Sequence, residues 1–155
     1  MIDYGEILSG SRCEDVFLQP TAGIMFPTDT FVVNFVKRGV FFSFHSFAMV
    51  RLLYHEKVVY TVTDHYLNDS GTAWRRGQRK LSTHTFKSMK QIILKHEISR
   101  FSNKNCGDVI IEFDNGALLE FIVDVSPSRG DPEMHRLIIK KDIDSVEGEH
   151  YVFKI

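Results

Sequence analysis

The sequence predicts an α+β fold that is mostly β: antiparallel sheets arranged as a β-meander, sandwich or half-barrel, with one short helix near residues 84–94. Three observations lead there. First, β-branched and aromatic residues gather in short runs at a period of two, as where Val58, Tyr60 and Val62 alternate with Val59, Thr61 and Thr63. Second, turn chemistry separates the runs: Lys37-Arg38-Gly39, His55-Glu56 and Asp114-Asn115-Gly116. Third, Phe86, Met89 and Ile93 fall at helical spacing, with Lys87, Lys90 and Gln91 on the outer side.

Taken in order, the first 30 residues are punctuated by Gly5, Gly10, Pro20, Gly23 and Pro27, which leaves room for one or two short strands and no long helix. Phe31-Val32-Val33-Asn34-Phe35-Val36 suits a largely buried strand, and Gly39 is free to take a positive φ in the turn after it. The return strand, residues 40–47, places Phe42, Phe44 and Ser46 on one face and Phe41, Ser43, His45 and Phe47 on the other. Residues 50–54 and 57–64 make a second pair around His55-Glu56. Residues 68–80 are a polar loop. Ser82 or Thr83 is placed to N-cap a helix over residues 85–94; the alternative is a strand from 91 to 101, and a short helix leading into a strand accommodates both patterns. The clearest signal is Asp108-Val109-Ile110-Ile111-Glu112-Phe113, the Asp-Asn-Gly turn, and Ala117-Leu118-Leu119-Glu120-Phe121-Ile122-Val123, a hairpin with Glu112 and Glu120 facing solvent or an edge. Residues 126–132 are a Pro/Gly loop, and residues 136–140 and 150–155 read as two final strands.

At 155 residues, without internal repeats or low-complexity tracts, the chain reads as one domain, 1–155. Its 43% hydrophobic and 25% charged residues exclude a mainly disordered chain, a collagen-like repeat and a disulfide-dense miniprotein. The net charge of −1 favours neither nucleic acid nor an anionic membrane. Asp3 and Glu6 stand where a secretory signal would carry bases, and the longest apolar candidate, residues 31–60, is broken by Lys37, Arg38, Arg51, His55, Glu56 and Lys57. A cytoplasmic protein without a membrane span is the expectation. Cys13 and Cys106 form no C-x-x-C pair, so they read as two unpaired thiols rather than a redox or zinc motif, with one long-range disulfide as the alternative.

Neither a Gly-rich phosphate loop nor a G-x-S-x-G elbow occurs, and no cofactor is expected. His45, His55 and His65 are spaced by ten, so convergence into a metal site or acid–base pair is conceivable across a hairpin, but no ligand spacing such as H-E-x-x-H supports it. Trp74, Arg75, Arg76, Arg79 and Lys80 set an aromatic ring beside four cations, a combination that grips phosphates and stacks on a base. Residues 74–104 hold nine bases against Glu97 alone, a net +8. From Cys106 onward eleven acids meet five bases, a net −6, with Asp142, Asp144, Glu147 and Glu149 in one short stretch that lacks the calcium-loop pattern. Either run also suits a plain solvated surface.

The segment Gly107-Asp108-Val109-Ile110-Ile111-Glu112-Phe113-Asp114-Asn115-Gly116-Ala117-Leu118-Leu119, following an early hairpin and a polar loop, resembles a group of small bacterial proteins. In them a Phe-[DN]-[DN]-Gly turn joins two late strands, and some members are similar to the immunity proteins of contact-dependent inhibition and related polymorphic toxin systems. Residues 131–136 depart from that pattern, and no site residue is carried over. The resemblance implies a non-enzymatic protein that binds a cognate toxin and neutralises it by stoichiometric occlusion. Many such toxins are nucleases with basic clefts, which an acidic patch would fill. Asp142, Asp144, Glu147 and Glu149 are the first candidate contact, and Trp74 with Arg75 and Arg76 the second. A nucleic-acid-binding domain using Trp74, Arg75, Arg76, Arg79 and Lys80 is the next reading. A small enzyme built on His55 and His65, or an assembly subunit with open edge strands, follows.

Overall fold

The hairpins start from their turns. Arg38 and Gly39 both take positive φ, 51° and 79°, as a two-residue turn matched to strand twist demands. They join β2 (Thr30–Lys37) to β3 (Val40–Ser46) in the computed structural model, which describes residues 3–19, 30–62, 83–104, 106–123, 134–140 and 149–153. His55 and Glu56 do the same, at φ 50° and 60°, between β4 (Met49–Tyr54) and β5 (Lys57–Thr61). Neither is glycine, so each carries the left-handed penalty of a Cβ near the following carbonyl. Glu56→Gly is therefore expected to stabilise the protein by about 1 kcal/mol, read as a higher urea midpoint at unchanged slope.

Asp114, Asn115 and Gly116 (φ 82°) turn β7 (Val109–Phe113) into β8 (Leu118–Ile122), as the sequence predicts. The remaining elements are α1 (Tyr4–Leu8), β1 (Arg12–Gln19), α2 (Thr83–Ile93), β6 (Ile98–Asn103), β9 (His135–Lys140) and β10 (Glu149–Phe153). The predicted helix near 84–94 is thus present. A single turn at residues 4–8 adds to it, capped by Asp3 Oδ1, which accepts from the Gly5 and Glu6 amides. Lys37 closes its far end, donating from Nζ to the Glu6 and Ile7 carbonyls at 3.1 and 3.0 Å.

Among the described residues all strand pairings are antiparallel and form two five-stranded sheets, β1-β2-β3-β9-β10 and β5-β4-β8-β7-β6. Of the meander, sandwich and half-barrel readings, this is the sandwich: the local hairpins form as expected, while β3 pairs with β9 and β4 with β8 across long stretches of chain. Phe47 and Ala48 carry the chain from the first sheet to the second. The two inner faces share one core, in which Phe121 meets Phe31 at 5.8 Å and Phe44 at 5.0 Å, both edge-to-face, and Phe44 meets Phe101 at 6.0 Å. At one corner the sheets are stitched together: Ile98 N–H donates to Ser11 O, Cys13 N–H to His96 O and Lys95 N–H to Cys13 O, each at 2.8 Å.

Helix α2 lies against β5 and β1, setting Phe86 against Tyr60 at 6.0 Å and Phe31 at 6.4 Å, with Met89 and Ile93 buried below. Its end is fixed by the β7–β8 turn, where the Asn115 side-chain amide donates to Ile92 O at 2.7 Å.

One alternation fails. Sequence periodicity places Val58 with Tyr60 and Val62, but the register of β5 against β4 slips between Leu52 and Leu53. Leu52 faces Tyr60 and Leu53 faces Val58, which leaves Val59 as an extra residue. Tyr60 points into the core at 1% exposure, whereas Val58 and Val59 are 53% and 36% exposed.

Candidate functional site

Of the acidic candidates, Glu149 is described: it opens β10 opposite Ile139 and is exposed. Asp142, Asp144 and Glu147, and likewise Trp74, Arg75, Arg76, Arg79 and Lys80, lie outside the described residues.

The described surface offers a positive feature elsewhere. Away from the core, the second sheet presents Leu53 beside Leu118 and Met49 beside Ile122, direct cross-strand partners, with Val58 at the edge next to Leu53. Two cross-strand ion pairs are set into this face, Arg51 with Glu120 and Arg100 with Glu112 at 3.6 Å. Glu112 and Glu120 therefore face outward as the hairpin pattern predicts. Apolar side chains on an open sheet edge are a surface that natural proteins usually blunt or cover.

The β1 edge of the first sheet is blunted. Along β1, Arg12 Nε binds Glu14 at 2.6 Å, Lys95 binds the same carboxylate, and Lys90 Nζ binds Asp15 at 2.6 Å. The hydrogen bond from Lys95, then Arg12, holds the Glu14 carboxyl below the usual range against a smaller opposing effect of burial. These contacts bear on the basic stretch 74–104. Among its described cations, Lys90, Lys95 and Arg100 are matched to acids, and Lys87 and Lys104 are exposed.

His45 and His55 do not converge. His55 sits exposed in the β4–β5 turn with its ring 4.0 Å from that of Tyr54. His45 lies on β3 in the other sheet, the whole of β4 away, with Nε2 2.8 Å from Ser43 Oγ, which donates to Asn34 Oδ1 at 2.7 Å. His65 lies outside the described residues. No group of three or more His, Cys, Asp or Glu side chains placed to hold a metal occurs among the described residues.

The histidine that the structure singles out is one the sequence reading passed over. His135 is 1% exposed, stacked on Phe44 at 5.6 Å and 22°. Nε2 is 2.9 Å from Gly107 O, and Nδ1 is 3.0 Å from Ser46 Oγ, which in turn accepts from the Ala48 amide at 3.0 Å. A carbonyl only accepts, so Nε2 carries the proton and Nδ1 receives the Ser46 hydroxyl. Burial pushes the ring below the ordinary histidine range; the Gly107 contact and the Asp108 charge oppose it and are outweighed. With Ser46 fully buried and already engaged by Ala48, this serine–histidine pair joins β3 to β9 within the first sheet, the ring's other nitrogen reaching Gly107 between β6 and β7, and is not a nucleophile presented to substrate.

Both cysteines are free thiols, Cys13 buried and Cys106 exposed. Burial first, then the Asp15 and Glu14 charges, pushes the Cys13 thiol up to about 12. One thiol per chain is expected to react with Ellman's reagent in the native state and two in guanidinium, with Cys106→Ser abolishing the native reaction.

These features define an antiparallel β-sandwich in which the β1 edge of the first sheet is blunted by charge and the β5 edge of the second is apolar. No protein-family model matches the chain, no curated protein matches it, and no solved structure matches it. Among the described residues, no helix is long and apolar enough to cross a membrane.

Proposed function

We propose that this protein is a stoichiometric binder of another protein, acting as the immunity partner of a bacterial toxin that it neutralises by occlusion. The observation that carries the binding part is the apolar edge of the second sheet. There Val58 and Val59 are both exposed because of the bulge, beside a hairpin tip held at positive φ. A strained, apolar, exposed edge costs stability and raises the aggregation hazard, and a contact made there in the complex accounts for its presence. The choice of a toxin rests on the resemblance of residues 107–119 and on the net −6 of residues 106–155, a charge suited to steering a protein toward a basic nuclease cleft. In this reading the protein is not an enzyme, uses no cofactor, and works in the cytoplasm where the toxin arrives.

Charge reversal at Asp142, Asp144, Glu147 and Glu149 is expected to weaken toxin binding at least about tenfold and to flatten its salt dependence, measured by titration calorimetry at two ionic strengths. Unchanged affinity would remove the acidic stretch from the interface. The nucleic-acid reading has less to support it, since three of the described cations of its basic stretch are engaged with acids.

A further inference from the structure

Helix α2 ends on a carbonyl whose usual donors are turned elsewhere. The amides three and four residues beyond Ile92 are those of Lys95 and His96. Lys95 N–H donates to Cys13 O at 2.8 Å and His96 N–H to Ile93 O at 3.2 Å. The donor to Ile92 O comes instead from the β7–β8 turn, the side-chain amide of Asn115 at 2.7 Å. The other end of that amide is held too, with Oδ1 accepting from the Ala117 N–H at 3.1 Å. This clasp secures the helix that buries Met89 and Ile93 and sets Phe86 against Phe31 of one sheet and Tyr60 of the other.

The residue after Asn115 is Gly116, at φ 82°. Asparagine followed by glycine is the pair most open to deamidation, because no Cβ shields the backbone nitrogen from the side chain. In that reaction the Gly116 nitrogen gives up its proton and attacks Cγ of Asn115. The bond from Cγ to Nδ2 breaks, and Nδ2 leaves as ammonia with that proton, so that a cyclic imide joins the two residues. Water then adds to one of the two imide carbonyls and breaks its bond to nitrogen. Addition at Cγ leaves aspartate on an unchanged main chain; addition at the main-chain carbonyl leaves isoaspartate, with the main chain rerouted through Cγ.

The folded turn opposes this at both reacting groups. Gly116 N–H donates to Phe113 O at 2.9 Å, and Nδ2 donates to Ile92 O, so loss of the proton and departure of ammonia each give up a hydrogen bond. The product does not restore the clasp. A carboxylate at position 115 accepts and does not donate, and it stands against a carbonyl at the negative end of the helix. The cations of this stretch, Lys90, Lys95 and His96, face Asp15, Glu14 and Asp114.

We propose that Asn115 is a deamidation site whose rate is set by its hold on α2, and whose conversion irreversibly releases the last turn of that helix. The intact clasp protects the asparagine, and loss of the asparagine ends the clasp.

Incubation of the full chain at neutral pH, with peptide mass spectrometry to follow Asn115, tests the first half. The folded chain is expected to convert at least about tenfold more slowly than the same chain unfolded in urea, the factor that one lost hydrogen bond supplies. Gln91→Gly, an exposed change that loosens the last turn of α2 and alters neither reacting residue, is expected to speed the folded-state reaction about threefold. Hydrogen exchange tests the second half. Protection of the Leu94 amide, which donates to Lys90 O at 2.8 Å, is expected to fall about tenfold in Asn115→Asp. Where that variant does not fold, wild-type chain that has converted after folding is expected to show the same loss. No conversion in the folded chain, equal rates in folded and unfolded chains, no acceleration in Gln91→Gly, or unchanged Leu94 protection after conversion would each overturn the proposal.

Discussion

Phe44→Ala is expected to lower the unfolding free energy by about 3–5 kcal/mol, the range for removing a buried phenyl ring and leaving a cavity. Few positions concentrate so much. Phe44 is fully buried and touches Phe101 and Phe121 edge-to-face on the opposite sheet and His135 by stacking within its own. Its loss thus removes inter-sheet contacts at the point where both sheets lean on one ring. A domain of this size has on the order of 5–15 kcal/mol in total, so the variant should be folded but close to its threshold, with a large drop in denaturant midpoint. Phe41→Ala, on the outward face of the same strand and half-buried, is expected to cost clearly less. A Phe44→Ala cost below about 1 kcal/mol would mean that the sheets do not share this core.

His135→Ala is expected to cost about 3 kcal/mol at neutral pH. It leaves a cavity and strands both the Ser46 hydroxyl and the Gly107 carbonyl, each a buried group whose desolvation is no longer offset. The pH dependence has a definite sign. The folded ring binds its proton more weakly than the unfolded one, so this contribution is complete above the ordinary histidine value of about 6.5 and is lost as pH falls below it. The gap between wild type and His135→Ala should therefore narrow from pH 7.5 to pH 5, as followed by urea titration at each pH. A gap that widens would contradict a neutral buried ring.

Local chemistry made much of the fold legible. The Asp114-Asn115-Gly116 turn, the Arg38-Gly39 turn, the inward set Phe42, Phe44 and Ser46, and the helical spacing of Phe86, Met89 and Ile93 all depend on neighbours within a few positions. What escaped is non-local. The pairing of β3 with β9 and β4 with β8 depends on which hydrophobic faces meet after long loops, and single-strand patterns carry no label for their partners. The bulge at Val59, opposite Leu52 and Leu53, escaped for a similar reason, since a register slip leaves the alternation of Val58 to Val62 unchanged on paper. Nor did charge counts show pairing: Lys90 and Lys95 read as part of a basic stretch until the fold set them against Asp15 and Glu14, 75 and 81 positions away. His135 left one overlooked signal, its place two residues before Leu137 on the inward face of a strand; the predicted strand began one residue later, at Arg136.

Binding of a toxin is the central claim, and affinity purification of the tagged protein from its native cell at moderate salt, with mass spectrometry of what accompanies it, tests it most directly. The account predicts a basic partner in one-to-one stoichiometry with a nuclease-like domain, whose toxic activity falls linearly to zero at one equivalent of this protein. Recovery of nucleic acid alone, or of the protein without any stoichiometric partner, would contradict it.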